Sequence, residues 1–217
     1  MSRPDSGKLL PLFPLQLVAF PGSAVPLHIF EERYKEMVGQ AEAAGTEFGI
    51  VLSRDGGIVN AGCTVVVETV LERYPDGRFD VITRGRRRFS LISINEELDY
   101  LRGVVEFFED SDWTTPSREL RERALKAYRH LRHLQEEQGH GTREKEPDVD
   151  DPQLSFELAQ LIDDLDFQNT MLRTRSEAER LEQFVAVIDP YLERKGYKEK
   201  MQRIAPLNGS GHKPASL

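Results

Sequence analysis

The sequence predicts an α+β fold, in which a small barrel-like sheet with one main helix precedes a bundle of helices. Six short runs rich in β-branched residues, separated by glycine and proline turn signals, fill the first half of the chain. In the second half the apolar residues recur instead at the three- and four-residue spacing of helices. The acidic segment 109–112 marks the change. We therefore expect a β-barrel subdomain over 1–110, a helical-bundle subdomain over 111–197 and a disordered tail over 198–217.

The stretch from Leu9 to Val38 predicts two strands and the start of the main helix. Its prolines remove backbone donors, so both strands should be edge strands or strand ends. Phe20-Pro21-Gly22-Ser23 is a turn signal in which Gly22 can adopt a positive φ, and the strand Ala24 to Ile29 follows. The helix should run from about Glu31 to Gly45. Its predicted core-facing residues are Phe30, Tyr34, Met37, Val38 and Ala41.

Four further strands complete the predicted sheet. They lie at Glu47 to Leu52, Gly62 to Tyr74, Arg78 to Ile94 and Leu98 to Phe108. Pro75-Asp76-Gly77 joins two of these strands and is typical of a hairpin turn. Gly85 interrupts the third run, which indicates a bulge or bend of the kind that a barrel corner needs.

Amphipathic helices are predicted throughout the second half. They run from Ser117 to Leu134, from Pro152 to Leu165, through Gln168 to Leu172, and from Ser176 to Leu192, with a mobile loop at 139–151. Pro152 suits the first position of a helix because its missing N–H would have no partner there. Ser176 and Glu179 have the spacing of a capping box, which marks the start of the last helix.

The composition is that of a folded protein without disulfides or membrane spans. Hydrophobic residues make up 39% and charged residues 30% of the 217 positions. The apolar runs fall short of the roughly 18 residues of a membrane span, and the first ten residues lack the apolar core of a secretory signal. Cys63 is the only cysteine, which excludes an intrachain disulfide. We therefore expect no membrane contact and a cytoplasmic location.

Arg84, Arg86, Arg87 and Arg88 form the densest basic group, and two interpretations of it are open. The arginines bind RNA or another anion, or they pair with acidic neighbours on adjacent strands, with Arg86 and Arg88 on one face. The formal net charge of −8 opposes contact with a polyanion. We therefore favour ion pairing and keep anion binding by the Arg84–Arg88 strand as the alternative.

Two other groups carry candidate chemistry. His130 and His133, with Glu137 on the same helix face and His140 nearby, have the spacing of metal ligands. They lie at a helix end beside a predicted loop, where a supporting shell is not apparent, so we expect no metal. Cys63 precedes a β-branched run, where a free cysteine behaves as a small buried hydrophobe rather than a nucleophile.

An aromatic and proline cluster near the first turn is the candidate binding surface. Edge strands that contain proline leave their flanks open, and extended peptides dock on such surfaces. We hypothesise that Phe20, Pro21, His28 and Phe30, with Arg33, border an apolar patch that holds exposed hydrophobic segments of other proteins.

Many short motifs together resemble one known family. They are Leu10-Pro11-Leu12-Phe13-Pro14-Leu15, Phe20-Pro21-Gly22, Pro26-Leu27-His28-Ile29-Phe30 with Arg33 and Tyr34, Gly62-Cys63-Thr64-Val65, Pro75-Asp76-Gly77-Arg78-Phe79, Gly85 with Arg86, Arg88 and Phe89, and Gln168, Leu172, Ser176, Arg180 and Leu181. In order and spacing they resemble the N-terminal domain of the ATP-dependent Lon proteases, which also occurs in standalone proteins and in cereblon. The resemblance implies a PUA-like pseudo-barrel followed by a helical bundle. It also implies recognition of unfolded or degron-bearing protein segments.

The resemblance does not extend to catalytic machinery. The sequence has no Gly-x4-Gly-Lys-Ser/Thr motif, and it ends near the point where full-length Lon proteases continue into their ATPase and peptidase domains. We therefore expect a non-catalytic protein-binding module without a cofactor, an adaptor or regulator of proteolysis with a protease or chaperone as a further partner. The oligomeric state stays open. The expected substrate-binding residues are Phe20, Pro21, His28, Phe30, Arg33, Arg86 and Arg88.

Overall fold

The computed structural model describes residues 9–54, 56–137, 146–188 and 190. In these residues the strands and helices follow one another in a β-rich and then a helical half. They are β1 (Leu10–Leu15), β2 (Ala24–Ile29), α1 (Glu32–Ala44), β3 (Phe48–Arg54), β4 (Gly57–Arg73), β5 (Phe79–Asn95), β6 (Arg102–Phe107), α2 (Arg118–Glu137), α3 (Leu154–Ala159), α4 (Leu165–Arg173) and α5 (177–188). The fold is therefore mixed α+β, as predicted.

The long strand β5 closes the sheet into a barrel by pairing with different partners along its length. The strand order is β2-β5-β4-β3-β1-β6, and β6 also pairs with β5. Residues 79–84 of β5 pair with β2, whereas residues 89–95 pair with β6. The pairing of β6 with both β1 and β5 thus closes the five strands β5, β4, β3, β1 and β6 into a ring. At the other end of β5, β2 extends the sheet.

β1 has a partner strand on each side, so of the two predicted alternatives the edge strand is wrong over its first half. Its prolines lie near the strand ends instead, at the second and fifth of its six residues. Its last four residues pair in parallel with β3, and its first two pair with β6. The Leu12 N–H donates to Leu101 O at 2.8 Å, so even-numbered residues of β1 direct their N–H groups toward β6. Pro14 lies beyond the end of β6, where a missing donor breaks no ladder. β2 is an edge strand, as predicted.

The turn between β1 and β2 packs directly onto β5 at Gly85. The Gly22 N–H donates to Gly85 O at 3.0 Å, and the Gly85 N–H donates to Ser23 O at 2.9 Å. A Cβ atom at position 85 would lie 1.9 Å from Phe20 O, so only glycine fits there. The neighbouring register shift confirms the predicted bulge, because Arg86 and Arg87 stand against the single residue Thr64 of β4.

Helix α1 ends as predicted but begins after Phe30 rather than including it. Gly45 adopts φ 62° and caps the helix through N–H bonds to Ala41 O and Glu42 O. Four of the five predicted core residues are buried, namely Tyr34, Met37, Val38 and Ala41. Phe30 is 58% exposed, so its prediction as a core residue is wrong.

The named elements in the described part of the second half are all helices. The predicted helix from Pro152 to Leu165 is split: α3 ends at Ala159, and Asp164 caps the separate helix α4 by accepting from Asp166 N and Phe167 N. Ser176 accepts from Glu179 N at 3.3 Å, as a helix cap does. The predicted bundle to residue 197, the domain boundaries and the 198–217 tail stay predictions, and residues 138–145 and 191–217 lie outside the described part of the chain.

One apolar core joins the two halves. The rings of Phe20 and Phe156 stack with centroids 5.5 Å apart, and both side chains are buried. Residues of α1, of strands β1 to β5 and of helices α2 to α5 belong to the same buried cluster, whereas Leu12, Val51 and Phe89 form a second, smaller one. The helices therefore pack on the barrel at the turn that contains Phe20.

Candidate functional site

The candidate site is a groove between the second half of β1 and the edge strand β2, which we call the β1–β2 groove. Its volume is about 300 Å³, the lower end of the range for ligand pockets. The lining residues are Phe13, Pro14, Leu15, Leu17, Pro26, Leu27, His28, Phe30, Glu31, Arg33 and Tyr34. Seven of these eleven carry apolar side chains without an ionisable group. The groove can therefore receive apolar side chains.

Phe30 stands at the rim of the β1–β2 groove as an exposed aromatic ring. Its ring stacks on His28 with centroids 5.9 Å apart. Arg33 is held on the same rim by Glu31, at 2.7 Å between Nη2 and Oε2. The Arg33 guanidinium also lies 4.6 Å from the centre of the Tyr34 ring. These contacts orient three side chains that sequence analysis placed together: His28, Phe30 and Arg33.

The side chain of His28 is held by a hydrogen bond to Asp80, which is itself hydrogen-bonded to Tyr74. Its Nδ1 lies 2.5 Å from Asp80 Oδ1, and the Tyr74 hydroxyl donates to Asp80 Oδ2 at 2.7 Å. Hydrogen bonding to His28 and then to Tyr74 lowers the pKa of Asp80. The bond to Asp80 is also the main cause that raises the pKa of Tyr74 to about 12. The ring of His28 is therefore fixed on the rim.

Phe20 and Pro21 do not belong to this groove. Phe20 is fully buried, so the prediction that it borders an exposed patch is wrong. Its ring faces inward because Gly85 lets the turn approach the sheet closely. Pro21 lines a different cleft of about 630 Å³ between the first turn and helices α2 and α3. That cleft is lined mainly by polar side chains, including Arg84, Gln153 and Glu157.

Three of the four arginines of β5 pair with carboxylates. Arg84 pairs with Glu68 at 2.8 Å, and Arg87 pairs with Glu47 at 3.0 Å. Arg88 pairs with Asp110 at 2.5 Å and is buried, whereas Arg86 is exposed. The prediction that Arg86 and Arg88 share one face is wrong, because the bulge at Arg86 and Arg87 shifts the alternation.

Asp110 organises a buried ion network that the sequence analysis did not identify. Arg180 is fully buried and donates to both Asp110 oxygens at 2.7 Å. Its other N–H groups reach Ser155, Thr174 O and Glu177. Burial would raise the pKa of Asp110, but the bonds and charge of Arg180 and then Arg88 lower it. This network joins the barrel to the helices and is structural.

The remaining candidate groups are Cys63 and the potential metal ligands at the end of α2. Cys63 is buried, as predicted, and burial raises the pKa of its thiol to about 12. His130 and His133 are exposed on α2, whereas the Glu137 side chain and His140 lie outside the described part. The described residues contain no group of three or more potential metal ligands. The expected absence of a metal stays a prediction.

The barrel and its groove define a class of protein: an α+β domain whose small barrel carries an apolar groove beside an edge strand. The family model of the ATP-dependent protease La (LON) substrate-binding domain matches residues 9–193. The chain therefore belongs to the LON substrate-binding domain family. Among the described residues, no helix has the length and apolar character to cross a membrane.

Curated relatives and solved structures agree with this assignment. The chain is 30% identical over 114 residues to a Lon protease of Parabacteroides distasonis, a match that covers 48% of this chain and 14% of that protein. A Lon protease of Porphyromonas gingivalis is 29% identical over 110 residues, with coverage of 46% and 13%. The chain thus spans about one seventh of the length of these relatives.

Two solved structures share the fold. A Lon N-terminal domain protein from Xanthomonas campestris matches with a TM-score of 0.66 and 27% identity, over 82% of this chain and 98% of that one. The N-terminal domain of a Mycobacterium avium complex Lon protease matches with a TM-score of 0.58 and 15% identity, over 84% and 98%. The second likeness shows the fold alone.

Proposed function

We propose that this chain is a non-catalytic protein-binding module that holds exposed apolar segments of protein substrates in the β1–β2 groove. Unfolded or degron-bearing proteins are the substrates, and the chain acts as an adaptor or regulator that presents them to a protease or chaperone. Membership of the LON substrate-binding domain family supports recognition of protein substrates. The observation that carries the proposal for this groove is the exposed ring of Phe30 on its rim.

The surroundings of the exposed Phe30 ring fit an apolar partner. Phe30 is 58% exposed, yet it is ordered by the stacking of His28. The groove beside it is apolar, and on its rim Arg33 is paired with Glu31 and His28 is hydrogen-bonded to Asp80. Aromatic anchors beside apolar pockets account for much of the binding energy in protein interfaces. A segment with large apolar side chains therefore buries Phe30 without leaving a charge unpaired.

The alternative function, RNA or anion binding by the Arg84–Arg88 strand, has less support. Three of its four guanidinium groups are already paired with Glu68, Glu47 and Asp110. A phosphate would have to displace these carboxylates. Salt-sensitive binding of an RNA oligonucleotide in a filter assay would favour this alternative.

The proposal is tested by titrating the protein into fluorescein-labelled α-lactalbumin that has been reduced and carboxymethylated, so that it stays unfolded. We expect Phe30→Ser to weaken binding about tenfold or more, because the anchor ring is removed. Ile92→Ser is the matched control, since Ile92 is 61% exposed on the part of β5 that pairs with β6, away from the groove. Equal affinities of Phe30→Ser and the unchanged protein would contradict the proposal.

A further inference from the structure

The β1–β2 groove is a gap between two strand edges. Over its first half β1 is bonded to β6, but Pro14 and Leu15 pair with β3 and have no paired strand on their other side among the described residues. In the described part of the chain, β5 is the only strand that pairs with β2. Residues of both free edges, Pro14 and Pro26, line the same groove. The barrel is thus unbonded at the place where β1 and β2 face each other.

The direction of the backbone groups follows from the bonds at each strand. The Gly85 N–H donates to Ser23 O, so Ser23 and every second residue after it direct their N–H and C=O groups toward β5. Ala24, Pro26 and His28 therefore direct theirs away from β5. By the same alternation, the Leu12 bond to Leu101 O places the carbonyl of Pro14 on the free side of β1. The carbonyls of Pro14 and Pro26 consequently point to the gap.

Proline at both positions explains why the two edges do not pair with each other. Each proline removes an N–H that a β1–β2 ladder would use. At these two positions the gap has a carbonyl acceptor without an N–H donor beside it, and its floor is apolar. An extended peptide supplies what is missing, because its N–H groups alternate between its two edges at the strand repeat.

We infer that the β1–β2 groove takes an extended segment of a protein substrate as an inserted strand, which donates N–H groups to the Pro14 carbonyl on one side and the Pro26 carbonyl on the other. This inference rests on the proposed function and specifies its substrate: a segment in a β conformation with free backbone N–H groups and apolar side chains on one face. Proline within the inserted stretch is excluded, since it cannot donate. Phe30 then covers one apolar side chain of the segment.

The test uses a fluorescein-labelled peptide of about eight alternating leucine and threonine residues, the length of a strand. Two derivatives carry backbone N-methyl groups, one on its leucines and the other on its threonines, so that each loses the donors of one edge. A third derivative, methylated only beyond the alternating stretch, is the control. If the peptide inserts between two strands, the leucine-methylated and the threonine-methylated derivatives should each bind at least about tenfold more weakly than the parent peptide. The control should bind like the parent.

Each other outcome is informative. Loss with one derivative only would show addition to a single edge, and unchanged binding of both would show docking by side chains alone; either result overturns insertion. If unfolded α-lactalbumin binds through Phe30 while both methylated peptides bind like the parent, the proposed function stands and this inference fails. Failure of the parent peptide to bind, while α-lactalbumin does, also overturns it. A dimer that dissociates on peptide addition would place a second copy of the chain in the groove instead.

Discussion

Arg180 and Asp110 form a two-bond ion pair at the junction of the barrel and the helices, with both N···O distances at 2.7 Å. Arg180 is fully buried, and Asp110 also accepts from the buried Arg88 of β5. Two cations therefore share one carboxylate. Because a buried charge without its partner is strongly unfavourable, the pairing of the two halves depends on Asp110.

Asp110→Ala should lower the free energy of unfolding by about 3 kcal/mol, since it leaves two guanidinium groups short of a counter-charge. Urea denaturation followed by circular dichroism measures the change. Glu106→Ala is the control, because Glu106 is an exposed carboxylate on β6. A loss for Asp110→Ala no larger than that of the control would show that the network contributes little.

Gly85→Ala should destabilise the fold by about 2–3 kcal/mol, because its Cβ would lie 1.9 Å from Phe20 O and the turn would have to move. Gly39→Ala is the matched control within α1, where no atom beyond the adjoining residues and the helix's own backbone lies within 4 Å of the new Cβ. This control should gain about 0.5–1 kcal/mol from helix propensity. Equal stabilities of the two variants would contradict the close packing of the first turn on β5.

Tyr74 should titrate far above an ordinary tyrosine. Its pKa is raised from 10.0 to about 12, chiefly by the hydrogen bond to Asp80. A raised folded pKa means that Tyr74 stabilises the fold below pH 10 and that this stabilisation is lost as the pH rises toward about 12. The difference in tyrosinate absorbance between the unchanged protein and Tyr74→Phe should show a midpoint near 12. A midpoint near 10 would mean that the bond to Asp80 is not formed.

Cys63 should resist thiol reagents in the folded protein. It is buried, and a pKa raised from 9.0 to about 12 leaves about a thousandfold less thiolate at pH 8 than an ordinary cysteine has. Labelling by a chromogenic disulfide should follow the rate of unfolding and become fast in urea. Stoichiometric labelling of the native protein within seconds would show that Cys63 is accessible.

Local sequence signals predicted most of the sheet and helix α1. The Pro75-Asp76-Gly77 turn and the Gly45 cap depend on a glycine with positive φ, and the Gly85 bulge depends on the absence of a Cβ atom; the sequence displays each glycine directly. The residues that define the site were harder. Phe30 matched the helical spacing but precedes the helix, so the ring is exposed rather than buried.

Long-range contacts account for the errors. Phe20 belongs to a turn and was predicted at the surface, but it packs on Phe156, which lies far along the chain. Asp110 stood in an acidic segment that marked a boundary, whereas its partners Arg88 and Arg180 come from both halves. Neither pairing leaves a periodic signal, because periodicity reports which face of an element is buried and not what lies against it.

The central claim, that apolar protein segments bind beside Phe30, is tested most directly by photo-crosslinking. The photoreactive residue p-benzoylphenylalanine replaces Phe30 in one variant and Ile92 in another. Each variant is irradiated with fluorescein-labelled α-lactalbumin that has been reduced and carboxymethylated. Both positions are exposed to a similar extent, at 58% and 61%. The account predicts a strong crosslink from position 30 that excess unlabelled α-lactalbumin suppresses, and only background from position 92. Equal crosslinking from both positions, or crosslinking from position 92 alone, would contradict it.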